Sequence, residues 1–184
     1  MSTETIAANP VPAGSYNVDP AHSNVGFEVR HMGIATVRGA FRRFQGKLDA
    51  TGKNPVLEGA VEVASIDTGD QQRDAHLTAP DFFDAGQHPQ ITFQTTAIEA
   101  TNEGGIRLAG EITIKGATKP IELVGAVAEG GTDPWGNERV GFELEGTIDR
   151  REFGLSWNQT LPNGGLLVSN DVKLLISVSA VKES

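Results

Sequence analysis

The sequence contains no cysteine, which excludes disulfides, thiolate metal sites, thiol nucleophiles and dithiol redox chemistry. It is also short of positive charge: 15 Lys and Arg face 24 Asp and Glu, a net charge of −9. A nucleic-acid duplex would bind against that field, so nucleic acid is a poor partner. No apolar run approaches the roughly 20 residues that cross a bilayer as a helix. Residues 1–15 carry neither Lys nor Arg, and Pro10 and Pro12 interrupt them, so this stretch is not expected to act as an export leader. The expectation is a flexible lead-in over residues 1–14, a single domain over 15–182, and a cytoplasmic location. At 184 residues the chain is long enough to bury a full core without a staple.

What is abundant is glycine, 22 residues, falling between short alternating runs. Val25, Phe27 and Val29 share one parity while Glu28 and Arg30 take the other. The same alternation recurs through Leu57–Val63, Ile91–Phe93, Ile106–Ile114, Ile121–Val127, Val140–Ile148 and Val168–Val178. A period of two sends one set inward and the other to water. Asn102–Gly105, Asp133–Gly136 and Pro162–Gly165 carry the Gly and Asn that tight hairpins require. Only residues 70–86 break the rhythm, with a short helix expected over residues 71–77 and a helical turn at 81–84. Roughly eight strands in sequential hairpins predict an all-β chain, as a closed antiparallel up-and-down barrel or a two-sheet sandwich. Small residues on the presumed inner face, Gly59, Gly110, Gly125 and Gly146, either make room or relieve curvature.

Chemistry-bearing residues are sparse. His22, His31, His76 and His88 show no metal-ligand spacing, and Asp81, Asp84 and His88 share a helical face only if a helix runs through Gly86, so no metal is expected. Asp19, His22 and Ser23 have the types of a hydrolytic triad but crowd into one turn, where capping of backbone groups is the plainer role. Arg38, Arg42 and Arg43 near Phe41 and Phe44, and Arg150 and Arg151 before Phe153, are either anion contacts or strand arginines paired with carboxylates.

Five blocks in order carry a resemblance. They are Ser15–His31 (SYNVDPAHSNVGFEVRH), Arg38–Gly46 (RGAFRRFQG), RDAHL at 73–77 with DFFD at 81–84 and HPQITF at 88–93, Gly110–Gly116 (GEITIKG), and Arg150–Gly154 (RREFG). Together they resemble the YceI family over residues 15–181. The resemblance implies a lipocalin-like extended antiparallel barrel with a helical insertion, and an apolar tunnel for an isoprenoid or other long-chain lipid, with no cofactor. Related barrels can pair as homodimers through an outer face.

Parity then offers Phe27, Val29, Phe41, Phe93, Ile112, Leu123, Phe142 and Leu174 as tunnel-lining residues, with His31 and Arg150 for a polar head group. The leading expectation is a non-catalytic lipid-binding module. The alternative is an isomerase or hydrolase using the barrel as a dry chamber, with His22, His31 and Arg150 as its first candidates. A third is an interaction domain whose cavity is incidental.

Overall fold

A computed structural model describes residues 10–184. Most of the expected lead-in, residues 1–9, lies outside the described residues. Of its remainder, Val11 is buried in the core and the Pro12 carbonyl accepts a hydrogen bond from the Tyr16 hydroxyl at 3.1 Å.

The strands are β1 (Gly14–Val18), β2 (Asn24–His31), β3 (Ala35–Phe41), β4 (Phe44–Ala50), β5 (Val56–Glu62), β6 (Ile66–Asp67), β7 (Gln90–Ala100), β8 (Ile106–Ile114), β9 (Ala117–Thr132), β10 (Glu138–Asp149) and β11 (Val168–Lys182), with one helix, α1 (Gln71–Thr78). Every pairing is antiparallel. β1 and β2 lie end to end along β11, with Val18 opposite Ala180 and Asn24 opposite Ser177. Between them Pro20 cannot donate to a ladder, and Asp19 caps the resulting 3-10 turn by accepting from the Ala21 N–H. β3 and β4 form a second composite strand, broken where Arg42 and Arg43 both face water. Counted this way, eight antiparallel strands pair in chain order and the last closes on the first. Closure selects the barrel over the sandwich. It was the weakly apolar stretch over residues 35–50, rich in Gly and Ala, whose strands the alternation did not mark.

The pairings define two ends. One carries the β2–β3 hairpin tip, the β8–β9 turn, residues 150–167 and the insertion between β6 and β7. The other carries the β4–β5, β7–β8 and β9–β10 turns and both termini of the barrel. At this second end the inward residues Tyr16, Leu48, Ile106, Leu108, Val140 and Phe142 are nearly inaccessible and form a solid plug. Towards the first end the inward rows of β2 and β11 (Val25, Phe27, Val29, Val172, Leu174, Ile176) are only partly buried. The same parity thus gives a packed half and a hollow half.

Glycine has two different uses here. A Cβ at Gly125 would lie 1.7 Å from the Glu143 carbonyl oxygen, and at Gly110 2.5 Å from that of Gln94, so these mark close strand approach rather than spare room. A Cβ at Gly59 would meet only the Gln45 carbonyl oxygen at 3.3 Å and the Gly46 Cα at 4.0 Å, and Gly59 borders the hollow.

The insertion begins where Asp70 caps α1 through the Gln72 and Arg73 N–H groups. The helix ends before Pro80, which disfavours helix at Ala79. Residues 81–84 form turns rather than helix.

Candidate functional site

The hollow half is a cavity of about 220 Å³. Its walls are inward positions, most of them towards the first end: Val25, Phe27 and Val29 of β2, Leu57, Gly59 and Val61 of β5, Ile91 and Phe93 of β7. Ile112 and Ile114 of β8, Ile121 and Leu123 of β9, Leu144 and Ile148 of β10, and Val172 to Val178 of β11 complete it. The inward strand side chains that line it are apolar, and Arg150 is the one cation among the lining residues. Such a space holds hydrocarbon at about 0.8 kcal/mol per buried methylene, with no demand for polar matching along its length.

Of the residues expected from sequence, Phe27, Val29, Phe41, Phe93, Ile112, Leu123, Leu174 and Arg150 line this cavity. Phe142 does not: it belongs to the plug, because β10 carries it towards the closed end, opposite Val178 and Val127. His31 continues the inward row of β2 one step beyond Val29 and also lies outside the lining.

Sequence reasoning missed the cap over the first end. Leu77 of α1, with Phe82 and Phe83 after it, lines the cavity. Phe83 meets Phe41 edge-on at 6.1 Å, and Phe41 meets Phe27 at 5.8 Å. Above them His76 stands edge-to-face against Phe82 at 5.0 Å and Trp157 at 4.9 Å, its Nε2 2.7 Å from an Asp81 carboxylate oxygen. A signal was present: two adjacent phenylalanines in an aperiodic, polar insertion must pack on something.

Arg150 is 4% exposed. Its guanidinium donates to the main-chain oxygens of Ser169 (2.8 Å), Trp157 (3.0 Å), Val168 (3.4 Å) and Leu155. Its charge therefore meets backbone dipoles rather than a carboxylate, and burial pulls its pKa below the usual arginine value. Four carbonyls from two separated segments fix the 155–167 loop, and with it Trp157, over the barrel end. The other arginines singled out in the sequence pair on the surface: Arg38 with Glu28, Arg42 with Asp67, Arg43 with Glu62 and Arg151 with Asp149.

Asp19, His22 and Ser23 do not form a nucleophile–base line. The Ser23 hydroxyl donates to the Ser179 carbonyl and accepts from the Ser179 N–H. Asp19 binds Arg139 at 2.9 Å and His22 at 2.7 Å, contacts that hold its carboxyl below the usual range. Arg139 also reaches Asp133 at 2.9 Å. Asp133 is held down to about 2, chiefly by the Asn137 N–H. The cluster ties the break between β1 and β2 to β10 and the β9–β10 turn. It is a structural clasp, and of these residues only Ser23 reaches the cavity lining.

A family model, the YceI-like domain, matches residues 16–180. The chain belongs to the YceI family. Protein YceI of Escherichia coli is 31% identical over 97% of this chain and 92% of its own length. A UPF0312 protein of Pectobacterium atrosepticum is 34% identical over 93% of this chain and 88% of its own. Among solved structures, BcnA of Burkholderia cenocepacia superposes with a TM-score of 0.75 at 25% identity, over 88% of this chain and 98% of that one. A polyisoprenoid binding domain from Saccharophagus degradans shares the fold, with a TM-score of 0.67 at 12% identity, over 91% and 98% of the two chains. Among the described residues no helix is long and apolar enough to cross a membrane.

Proposed function

We propose that this YceI-family protein is a non-catalytic binding or carrier module for one amphipathic long-chain lipid, an isoprenoid first of all. The observation that carries this is the division of the barrel: an apolar cavity in one half and a solid plug in the other. The tail lies inward among Phe27, Val29, Phe93, Ile112, Leu123 and Leu174. The head stays at the end bearing His31, Arg150 and the insertion, the only end not filled by the plug. The polyisoprenoid-binding name of the Saccharophagus barrel supports an isoprenoid as the first ligand to test.

The cavity is smaller than the pockets of about 300–1,000 Å³ that hold drug-sized ligands. A long tail therefore enters as a slender chain, with Phe41 and Phe83 turning aside. The test is native mass spectrometry of the protein purified from its own host, then extraction of the bound lipid and titration of the delipidated protein with prenyl and acyl series. A bound, chemically unaltered lipid is expected. Failure to bind any member of either series refutes the reading, and a modified product after incubation replaces it with an enzyme.

A further inference from the structure

The end of the barrel that holds the cavity also carries a surface that folding does not explain. Five large apolar residues are exposed among the described residues, and three of them, Met32, Ile34 and Leu166, lie together here. Ile34 is 79% exposed, and Met32 and Leu166 are each 44% exposed. The Met32 N–H donates to the Leu167 carbonyl at 2.7 Å, which fastens the β2–β3 hairpin tip to the 155–167 loop. The tip is therefore anchored to the segment whose main chain Arg150 holds, and is not a loose loop.

A second, independent observation concerns its backbone. The turn closes with the Ile34 N–H on the His31 carbonyl at 3.0 Å, and both central residues have positive φ, 54° at Met32 and 68° at Gly33. That turn favours Asn, Asp or Gly at its first central position, because a larger side chain is strained there. Methionine occupies it instead, and the next non-glycine residue is isoleucine turned to water. Two local rules are broken within four residues, the pattern found where a segment serves a contact outside the fold. Beside the tip, Arg30 is exposed and donates to the Thr36 hydroxyl at 3.4 Å, and it forms no ion pair among the described residues.

We propose that this tip is a bilayer-docking surface: Met32, Ile34 and Leu166 insert at the acyl boundary while Arg30 meets head-group phosphate. The inference rests on the lipid-binding reading, since docking at this end sets the cavity against the membrane from which a lipid is drawn. A lipid surface fits better than a protein partner because the patch is three residues at a hairpin tip and its adjoining loop, flanked by Arg30, a cation with no ion pair among the described residues. With a net charge of −9 the chain has no long-range attraction to an anionic bilayer, so the contact is apolar and survives salt.

The experiment is flotation of the full chain with phosphatidylcholine vesicles, alongside uptake of a fluorescent prenyl alcohol supplied in detergent micelles. Four proteins are compared: wild type, Ile34→Asp, Trp135→Asp and Val29→Trp. Trp135 is as exposed as Ile34 but lies at the opposite end. Ile34→Asp should reduce vesicle association about tenfold or more by removing an apolar anchor and adding a charge, while leaving micellar uptake intact. Trp135→Asp should change neither. Val29→Trp should lose uptake and still float, which separates failure of the cavity reading from failure of docking. Equal flotation of wild type and Ile34→Asp overturns the proposal. So does loss of flotation in Trp135→Asp alone, or a concentration-dependent dimer that Ile34→Asp dissolves in the absence of vesicles.

Discussion

Replacing Val29 with tryptophan tests whether the hollow half is where the lipid lies. Val29 sits on β2 between Val37 of β3 and Val172 of β11, facing the cavity and only partly buried. An indole at this position projects into empty space rather than into packed core. The cost to the free protein therefore falls at the low end of overpacking, about 1 kcal/mol, and Tm should drop by only about 2–4 °C for a chain of this size. The ligand has no such freedom. If the indole displaces three to five of its methylenes, roughly 2.5–4 kcal/mol of burial is lost, which corresponds to about a hundredfold or more in Kd. Titration calorimetry with a prenyl alcohol reads the affinity and differential scanning calorimetry reads the stability. A variant with near-native Tm and unchanged affinity would show that the lipid does not occupy this half.

Phe142→Ala should do the reverse. It empties part of the plug and costs about 3–5 kcal/mol of stability, while affinity in the folded fraction stays near wild type; a loss of affinity without a loss of stability contradicts the plug. Arg150→Lys cannot span four carbonyls with three donors on one point charge, so about 3 kcal/mol should be lost as buried oxygens go unpaired, with faster proteolysis in the 155–167 loop; an unchanged cleavage rate contradicts the clamp. The Asp133 carboxyl sits at about 2 in the fold against about 3.9 when unfolded. Its contribution is thus complete above about pH 4 and lost as pH falls through about 2. Asp133→Asn should flatten the denaturation midpoint over that window, and an unaltered acid slope would assign the acid sensitivity elsewhere.

Much of the fold was legible because alternation is a one-dimensional record of which side of a sheet a residue faces. Val25, Phe27 and Val29 announced β2, and Ile106 to Ile114 announced β8. The loss of alternation from Asp70 to Gly86 announced the insertion. The composite β3–β4 strand was harder to read, since Gly39, Ala40 and Gly46 blur the apolar period and Arg42–Arg43 resets its phase. Arg150 was offered as a head-group contact or a carboxylate-paired strand arginine, and its actual partners were not read. They are main-chain carbonyls up to 19 residues away, and no side-chain pattern marks them.

The sequence by itself determined the family, most of the strands, their inward set and the place of the helical segment, because each depends on neighbours along the chain. Only the tertiary structure decided which inward residues border empty space. Phe27 and Phe142 occupy equivalent positions in equivalent patterns, yet one lines the cavity and the other fills the plug. Parity fixes the face of a strand but says nothing of height along the barrel. That height depends on how far each strand is staggered against the next and on what caps each end. Here Tyr16, Leu48 and Phe142 close one end tightly, while the cap of α1 and the 155–167 loop leaves the other half hollow.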